Sequence, residues 1–270
     1  MEEQKGKADQ LLLKIATYNI ARGHNFEEYH ETGKPIFNLI KTAKFIHTFD
    51  ADVITLNEVV SCCATDSRRV DETGQIAKLC EYSSYQFAQG VLFPSGHDLG
   101  NALLSRYPIS TVRSIPVPAP TVEERRKDEN DWYEDRVILC CMLEAFDTKI
   151  RYITTHFGLN KQEKERMMLH LCRLLDETDM PTVLSGDFND LPHSELLQPI
   201  YDRLRSAADV MGVTDCTLCE PMELPQTVDY IFVSKHFEVL DYCVWKRVLS
   251  DHYPCMASIR LRQEFQGGNT

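Results

Sequence analysis

Short apolar runs of strand length recur along this chain, and many of them end in a carboxylate, an amide or an imidazole. Residues 11–20 (LLLKIATYNI) end at Tyr18-Asn19, and residues 52–60 (DVITLNEVV) carry Glu58 near their end. Residues 182–185 (TVLS) run into Gly186-Asp187-Phe188-Asn189-Asp190. Runs of this length are the pattern of buried strands. Further strands are expected at 85–93, 102–105, 109–117, 228–234, 237–248 and 255–261, with 136–145 and 149–155 forming a hairpin turned near Asp147. Helical spacing marks 35–49 (Ile36, Phe37, Leu39, Ile40, Ala43, Ile46), a short stretch at 74–81, and 162–177, where Met167, Leu171 and Leu174 or Leu175 form the stripe. Many strands with few, irregularly placed helices suggest two sheets packed face to face with helices outside. No repeat or linker-like tract divides the chain. One domain is expected over 11–263, with short tails at 1–10 and 264–270.

Composition narrows the function. Lys plus Arg is 29 and Asp plus Glu is 41, a net charge of −12. A broad basic face for nucleic acid or an anionic membrane is not expected. An anionic substrate remains compatible, because a bound cation inverts the local field. No apolar run approaches the ~20 residues of a membrane span. The opening residues lack a signal peptide's apolar segment, so a cytoplasmic protein, working as a monomer, is expected. Ten cysteines are present, among them the adjacent pairs Cys62-Cys63 and Cys140-Cys141. Reduced thiols are the default for an intracellular chain. Cys216-Thr-Leu-Cys219 is a C-x-x-C, yet no second ligand pair sits at zinc-site spacing.

Singly, the polar residues beyond the strands have ordinary readings: an Asn or Asp there is usually a turn residue. Glu58 is harder to dismiss, because a carboxylate inside an apolar run is costly to bury unless it is paired or binds a metal. As a set, Asn19, Glu58, His156, Asp187, Asn189, Asp229, Asp251 and His252 suit one chemistry. Carboxylate and amide oxygens are hard ligands matched to Mg²⁺ or Mn²⁺. An imidazole beside a carboxylate handles a proton or stabilises charge. Phosphoryl transfer needs little else.

Seven segments then carry a resemblance: Thr17-Tyr18-Asn19-Ile20, Leu56-Asn57-Glu58-Val59, Gly100-Asn101-Ala102-Leu103-Leu104-Ser105-Arg106, Thr155-His156-Phe157, Gly186-Asp187-Phe188-Asn189, Asp229-Tyr230-Ile231 and Ser250-Asp251-His252-Tyr253-Pro254. In this order they resemble the endonuclease/exonuclease/phosphatase (DNase I-like) superfamily. The resemblance implies an α+β fold, a four-layer αββα sandwich of two mixed sheets flanked by helices, with the site at one edge of both sheets. It implies that Glu58, with Asn19 and Asp251, holds Mg²⁺ or Mn²⁺, and that Asp187 and Asn189 position water and phosphate. His252, oriented by Asp229, would act as base or contact the phosphate, and His156 would stabilise the charged pentavalent state. Arg136 and Asn101 are the implied substrate contacts. Whether Asp187 or His252 takes the proton stays open.

The expected activity is a metal-dependent hydrolysis of a small or head-group phosphoester. The alternatives are a DNA endonuclease or exonuclease of the same fold, with nucleic acid the less favoured substrate, and a catalytically silent binding module. Repair nucleases of this type place an acidic or amide residue where this chain has Ala21, and secreted disulfides are not evident. Arg22-Gly23-His24 is unusual, and His24 is expected to be a loop residue. Residues 116–135, with three prolines and Trp132-Tyr133 in a charged stretch, are expected to form a long loop, either a lid or a solvated excursion.

Overall fold

The computed structural model describes residues 12–62, 71–92, 97–145, 147–219 and 226–265. The expected tail at 1–10, Leu11, Cys63, Phe93 and residues 266–270 of the expected C-terminal tail lie outside them. Among the described residues twelve strands form two six-stranded sheets. The first contains β1 (Leu12–Asn19), β2 (Val53–Cys62), β3 (Ser84–Leu92), β4 (His97–Ser105), β11 (Phe237–Val244) and β12 (Cys255–Leu261), in the order β11-β12-β1-β2-β4-β3. The second contains β5 (Ile109–Val117), β6 (Arg136–Ala145), β7 (Thr148–His156), β8 (Thr182–Asp187), β9 (Arg205–Ser206) and β10 (Asp229–Val233), in the order β5-β6-β7-β8-β10-β9. The pairs β1/β2 and β7/β8 are parallel, and the other ladders are antiparallel.

Side-chain alternation builds the layers. Leu13 and Ile15 of β1, Val53 of β2, Val137, Leu139 and Cys141 of β6, Tyr152 of β7 and Val183 of β8 meet between the sheets. The alternate residues Ala16, Tyr18, Ile54 and Leu56 face outward beneath α2 (Leu39–His47) and α3 (Glu72–Leu79). On the other side Ile138, Ile153, Leu184 and Phe232 pack under α4 (Lys161–Asp176) and the short α5 (Gln198–Tyr201). The result is the expected arrangement of two packed mixed sheets with helices outside. Cys140 and Cys141 point into different layers, and both are free thiols, as are Cys216 and Cys219. No described helix is long and apolar enough to cross a membrane.

Several boundaries differ from the sequence reading. Strand β4 begins at His97 rather than 102, and β11 ends at Val244 rather than 248. The expected helix at 35–49 starts at Leu39, because Asn38 caps it by accepting a bond from Lys41 N–H. An unforeseen helix, α1 (Phe26–Thr32), has no buried residue and so leaves no apolar stripe to read. It is defined by its ends, Asn25 as N-cap and Gly33 as a left-handed C-cap. A further short helix, α6 (Ala207–Met211), lies in the mixed region before β10.

Candidate functional site

Along six strands the face between the sheets is apolar for most of its length and turns polar at one shared end. On β1 the inward series Leu13, Ile15 continues to Asn19; on β2 Val53 leads to Asn57; on β7 Ile150 and Tyr152 lead to His156. On β8 Val183 leads to Ser185 and Asp187, while Asp229 opens β10 directly opposite Asp187. Asn101 of β4 precedes the inward Leu103. The alternation that fills the core therefore also delivers these polar groups to one edge of the seam.

Asp187, almost wholly buried, is the hub. Asn19 Nδ2 donates to its Oδ2 at 3.1 Å, and Asn189 N–H donates to its Oδ1 at 2.9 Å. The same oxygen Oδ2 lies 3.5 Å from His156 Nε2 and 3.7 Å from His252 Nε2. His252 Nδ1 is 2.8 Å from Asp229 Oδ2, so the two rings and two carboxylates form one buried row. Burial and the neighbouring Asp229 push the Asp187 carboxyl up to about 7. Burial alone would lower the His252 imidazole, but Asp229 and Asp187 overcome it and hold the ring well above its usual value. His156 is held well below its usual value by burial, reinforced by Arg136 and His252. Its Nε2 receives Asn189 Nδ2 at 3.2 Å, which suits a neutral ring.

Glu58 sits at a break in the β2/β4 register, with a left-handed backbone of φ 54°. This β-bulge turns its carboxylate toward the cavity. Asn19 Nδ2 donates to Glu58 Oε1 at 3.2 Å. Burial, then the charge of Asp251, raises the Glu58 carboxyl. A buried carboxylate whose ionised form is disfavoured by a neighbouring carboxylate belongs to a donor set suited to a hard divalent cation. Asn19 Oδ1 accepts from Ala21 N–H at 3.0 Å while its amide nitrogen donates to the carboxylates of Glu58 and Asp187, so it holds Glu58 in place beside the hub. Asp187, Asp229 and His252 also place ligand-type atoms within 4.8 Å of one another. In this group Asp229 Oδ2 and His252 Nδ1 are already engaged with each other at 2.8 Å.

Glu58, Arg136, His156, Asp187, Asn189, Asp251 and His252 line one cavity of about 550 Å³, walled also by Arg22, Trp132 and Leu159. Arg136 opens β6, and its guanidinium pairs with Glu134 at 2.8 Å. Asp229 stands behind His252, and Asn19 beneath Glu58. Asn101 does not line this cavity but a small neighbouring pocket shared with Arg136 and His156. Its Oδ1 accepts from Asn57 Nδ2 at 2.8 Å, and its Nδ2 donates to Val137 O at 2.9 Å, a bridge between the sheets.

Sequence reasoning assigned nothing to Asn57, Thr217 or Ser250. Asn57 Nδ2 donates to Thr155 O at 3.0 Å and its Oδ1 accepts from Asp187 N–H at 3.1 Å, tying the sheets beneath the site. The available signal was an amide beside Glu58 in an apolar run. Thr217 Oγ1 accepts from both Val228 N–H (2.9 Å) and Asp229 N–H (3.1 Å), fixing the strand that carries Asp229. Ser250 Oγ lies 2.8 Å from Asn19 O and links the segment bearing Asp251 to β1.

Residues 16–252 match the sequence model of the Endonuclease/Exonuclease/phosphatase family. The chain is similar to YbhP of Escherichia coli (strain K12), at 26% identity over 94% of this chain and 99% of that protein. Among solved structures it resembles an endonuclease/exonuclease/phosphatase from Beutenbergia cavernae, with a TM-score of 0.70 and 21% identity, covering 93% of this chain and 72% of that one. It also resembles the mannosyl-6-phosphatase Bt3783 of Bacteroides thetaiotaomicron, with a TM-score of 0.67 and 16% identity over 92% and 99% of the two chains. With the family match running from 16 to 252, across every residue of the site from Asn19 to His252, and the DNase I-like sandwich in place, the chain belongs to the endonuclease/exonuclease/phosphatase family of hydrolases.

Proposed function

We propose that this protein is a divalent-metal-dependent phosphoesterase acting on a small or head-group phosphoester. The convergence of His156, His252, Asn189 and Asn19 on the single buried carboxylate of Asp187 carries this reading. Glu58 and Asp251 would hold Mg²⁺ or Mn²⁺, with Asn19 fixing Glu58; when bound, the ion supplies positive charge that polarises a phosphoryl oxygen. Asp187 takes the proton of the attacking water. A carboxyl raised to about 7 is matched to that task near neutral pH. The water oxygen forms its bond to phosphorus as the ester P–O bond breaks, and the departing alcohol oxygen takes up a proton from solvent water. His252, kept cationic by Asp229, donates through Nε2 to a phosphoryl oxygen. His156, Asn189 and Arg136 complete the polar wall around the phosphate. The solved structure named a mannosyl-6-phosphatase is in keeping with a small substrate. The net charge of −12 disfavours a run of DNA phosphates, since each contact needs a cation.

The test is a panel of phosphomonoesters and phosphodiesters with Mg²⁺ or Mn²⁺, run beside plasmid nicking and sphingomyelin hydrolysis. Turnover of small esters that stops in excess EDTA is expected. Full activity in EDTA would remove the metal from the reading, and efficient nicking at physiological salt would make the protein a nuclease.

A further inference from the structure

The turn after the first motif has no part in the chemistry above. Ala21, Arg22 and Gly23 are all left-handed, with φ of 45°, 59° and 72°. Glycine adopts this freely, whereas alanine and arginine are strained there, and such strain gathers at functional sites. The turn is held from within by Gly23 N–H to Ile20 O (2.7 Å) and His24 N–H to Ala21 O (2.9 Å). From behind it is braced by His24, whose ring packs against Phe26, Phe37 and Tyr29 at centroid distances of 4.5, 5.1 and 5.3 Å.

This backbone puts the exposed Arg22 side chain on the wall of the catalytic cavity, on the side of Glu58 and Asp251. Its guanidinium carbon lies 5.8 Å from the Phe37 ring centroid. Among the described residues no carboxylate forms an ion pair with it. Arg136, by contrast, is occupied by Glu134. A guanidinium seated on an aromatic face is a preorganised fork for phosphate or carboxylate.

We propose that Arg22 binds a second anionic group of the substrate, a phosphate or carboxylate on the alcohol part, beyond the phosphate that is cleaved. Resting on the phosphoesterase reading, it narrows the substrate class to phosphoesters carrying two anionic groups. The strained turn then has a use: it directs a cation into a cavity otherwise dominated by carboxylates.

Calorimetric binding at fixed Mg²⁺ tests this with three uncleavable probes: propylphosphonate, propane-1,3-bisphosphonate and 3-phosphonopropanoate. Wild type is expected to bind the two doubly anionic probes about tenfold more tightly than propylphosphonate. Arg22→Gln should abolish that preference while weakening propylphosphonate by less than about threefold, and Arg22→Lys should keep part of it. Arg260→Gln, which removes the same charge at the far end of β12, should leave the preference intact. The bisphosphonate and carboxylate arms separate the two sources of anion. No preference in wild type, or equal weakening of all three probes by Arg22→Gln, would overturn the assignment and leave Arg22 as a counter-charge to Glu58 and Asp251. Because nothing is turned over, a wild type that binds as expected yet hydrolyses no phosphoester sinks the phosphoesterase reading instead.

Discussion

At the scale of single residues, each site side chain has a separable task. Replacing Glu58 with Gln keeps its shape and its bond from Asn19 but removes a charge, so the fold should survive. Activity should fall by about 100-fold or more, and a Mg²⁺ titration should show weakened affinity. Unchanged Mg²⁺ dependence would show that the cation lies elsewhere. The imidazoles offer a second comparison. His252→Ala and His156→Ala should each cost about 10²–10⁴-fold in kcat/KM, whereas His30→Ala, on the exposed α1, should cost almost nothing. Near-normal turnover by His252→Ala would refute the mechanism. Glu58 was legible in the sequence because a carboxylate in an apolar run demands an explanation. Asp187, Asn189 and His252 were legible because they follow strands in a familiar order. The motif around Asn101 shows an amide near the site, but not that its side chain is held between Asn57 and Val137, a pairing made only when the sheets pack. Arg22 was opaque for another reason: a left-handed arginine is imposed by the packing around His24, which no local propensity encodes.

At the scale of elements, the strands were readable through their alternation, and α1 was not, because a helix without a buried face leaves no periodicity. The segment from 118 to 135 contains neither helix nor strand, yet it is stapled to the start of α4. Asn160 Nδ2 donates to Trp132 O (2.9 Å), Gln162 N–H to Glu129 Oε1 (3.1 Å), and Glu134 N–H to Glu163 Oε1 (2.9 Å). Excising it would strip bonds from the N-terminus of α4 and cost about 1–2 kcal/mol, so stability is not indifferent to its length. Trp132 itself is 65% exposed at the cavity wall. Trp132→Ala should therefore leave Tm nearly unchanged and reorder the preference among phosphoesters with ring-bearing and open-chain alcohols. A large fall in Tm would place the indole in the core. Helix α3 supplies a pH test. Burial pushes Glu72 up to about 7 although it accepts Val60 N–H at 3.0 Å. A raised acid favours its protonated form in the fold. Its stabilisation is complete below about 4.5 and is lost as pH rises through about 7. Glu72→Gln keeps the acceptor without the charge, so its Tm relative to wild type should rise between about pH 5 and about pH 8. Parallel profiles would show that Glu72 is not strained by ionisation.

At the scale of the whole molecule, the site belongs to neither sheet. The first supplies Asn19 and Glu58 together with Asp251 and His252 just before β12; the second supplies His156, Asp187 and Asp229. Across the seam, Thr55 Oγ1 and Ser185 Oγ meet at 2.8 Å, Asn57 reaches Thr155 and Asp187, and Asn101 reaches Val137. Sequence patterning foretold two packed sheets but not this ladder, because its rungs join residues 36 to 130 positions apart. The chain passes from the first sheet to the second between β4 and β5 and returns between β10 and β11. A cut in the 118–135 segment would leave β1–β5 on one piece and β6–β12 on the other. Each piece would lack groups that only the other carries, Asn19 and Glu58 on the first, Asp187 and both histidines on the second. The ladder would still be there to join them. Such a pair would make a two-part switch: fused to two interacting proteins, the pieces should regain hydrolysis only when that pair meets. Silence after enforced pairing, with both pieces soluble, would show that the seam cannot form once the chain is broken.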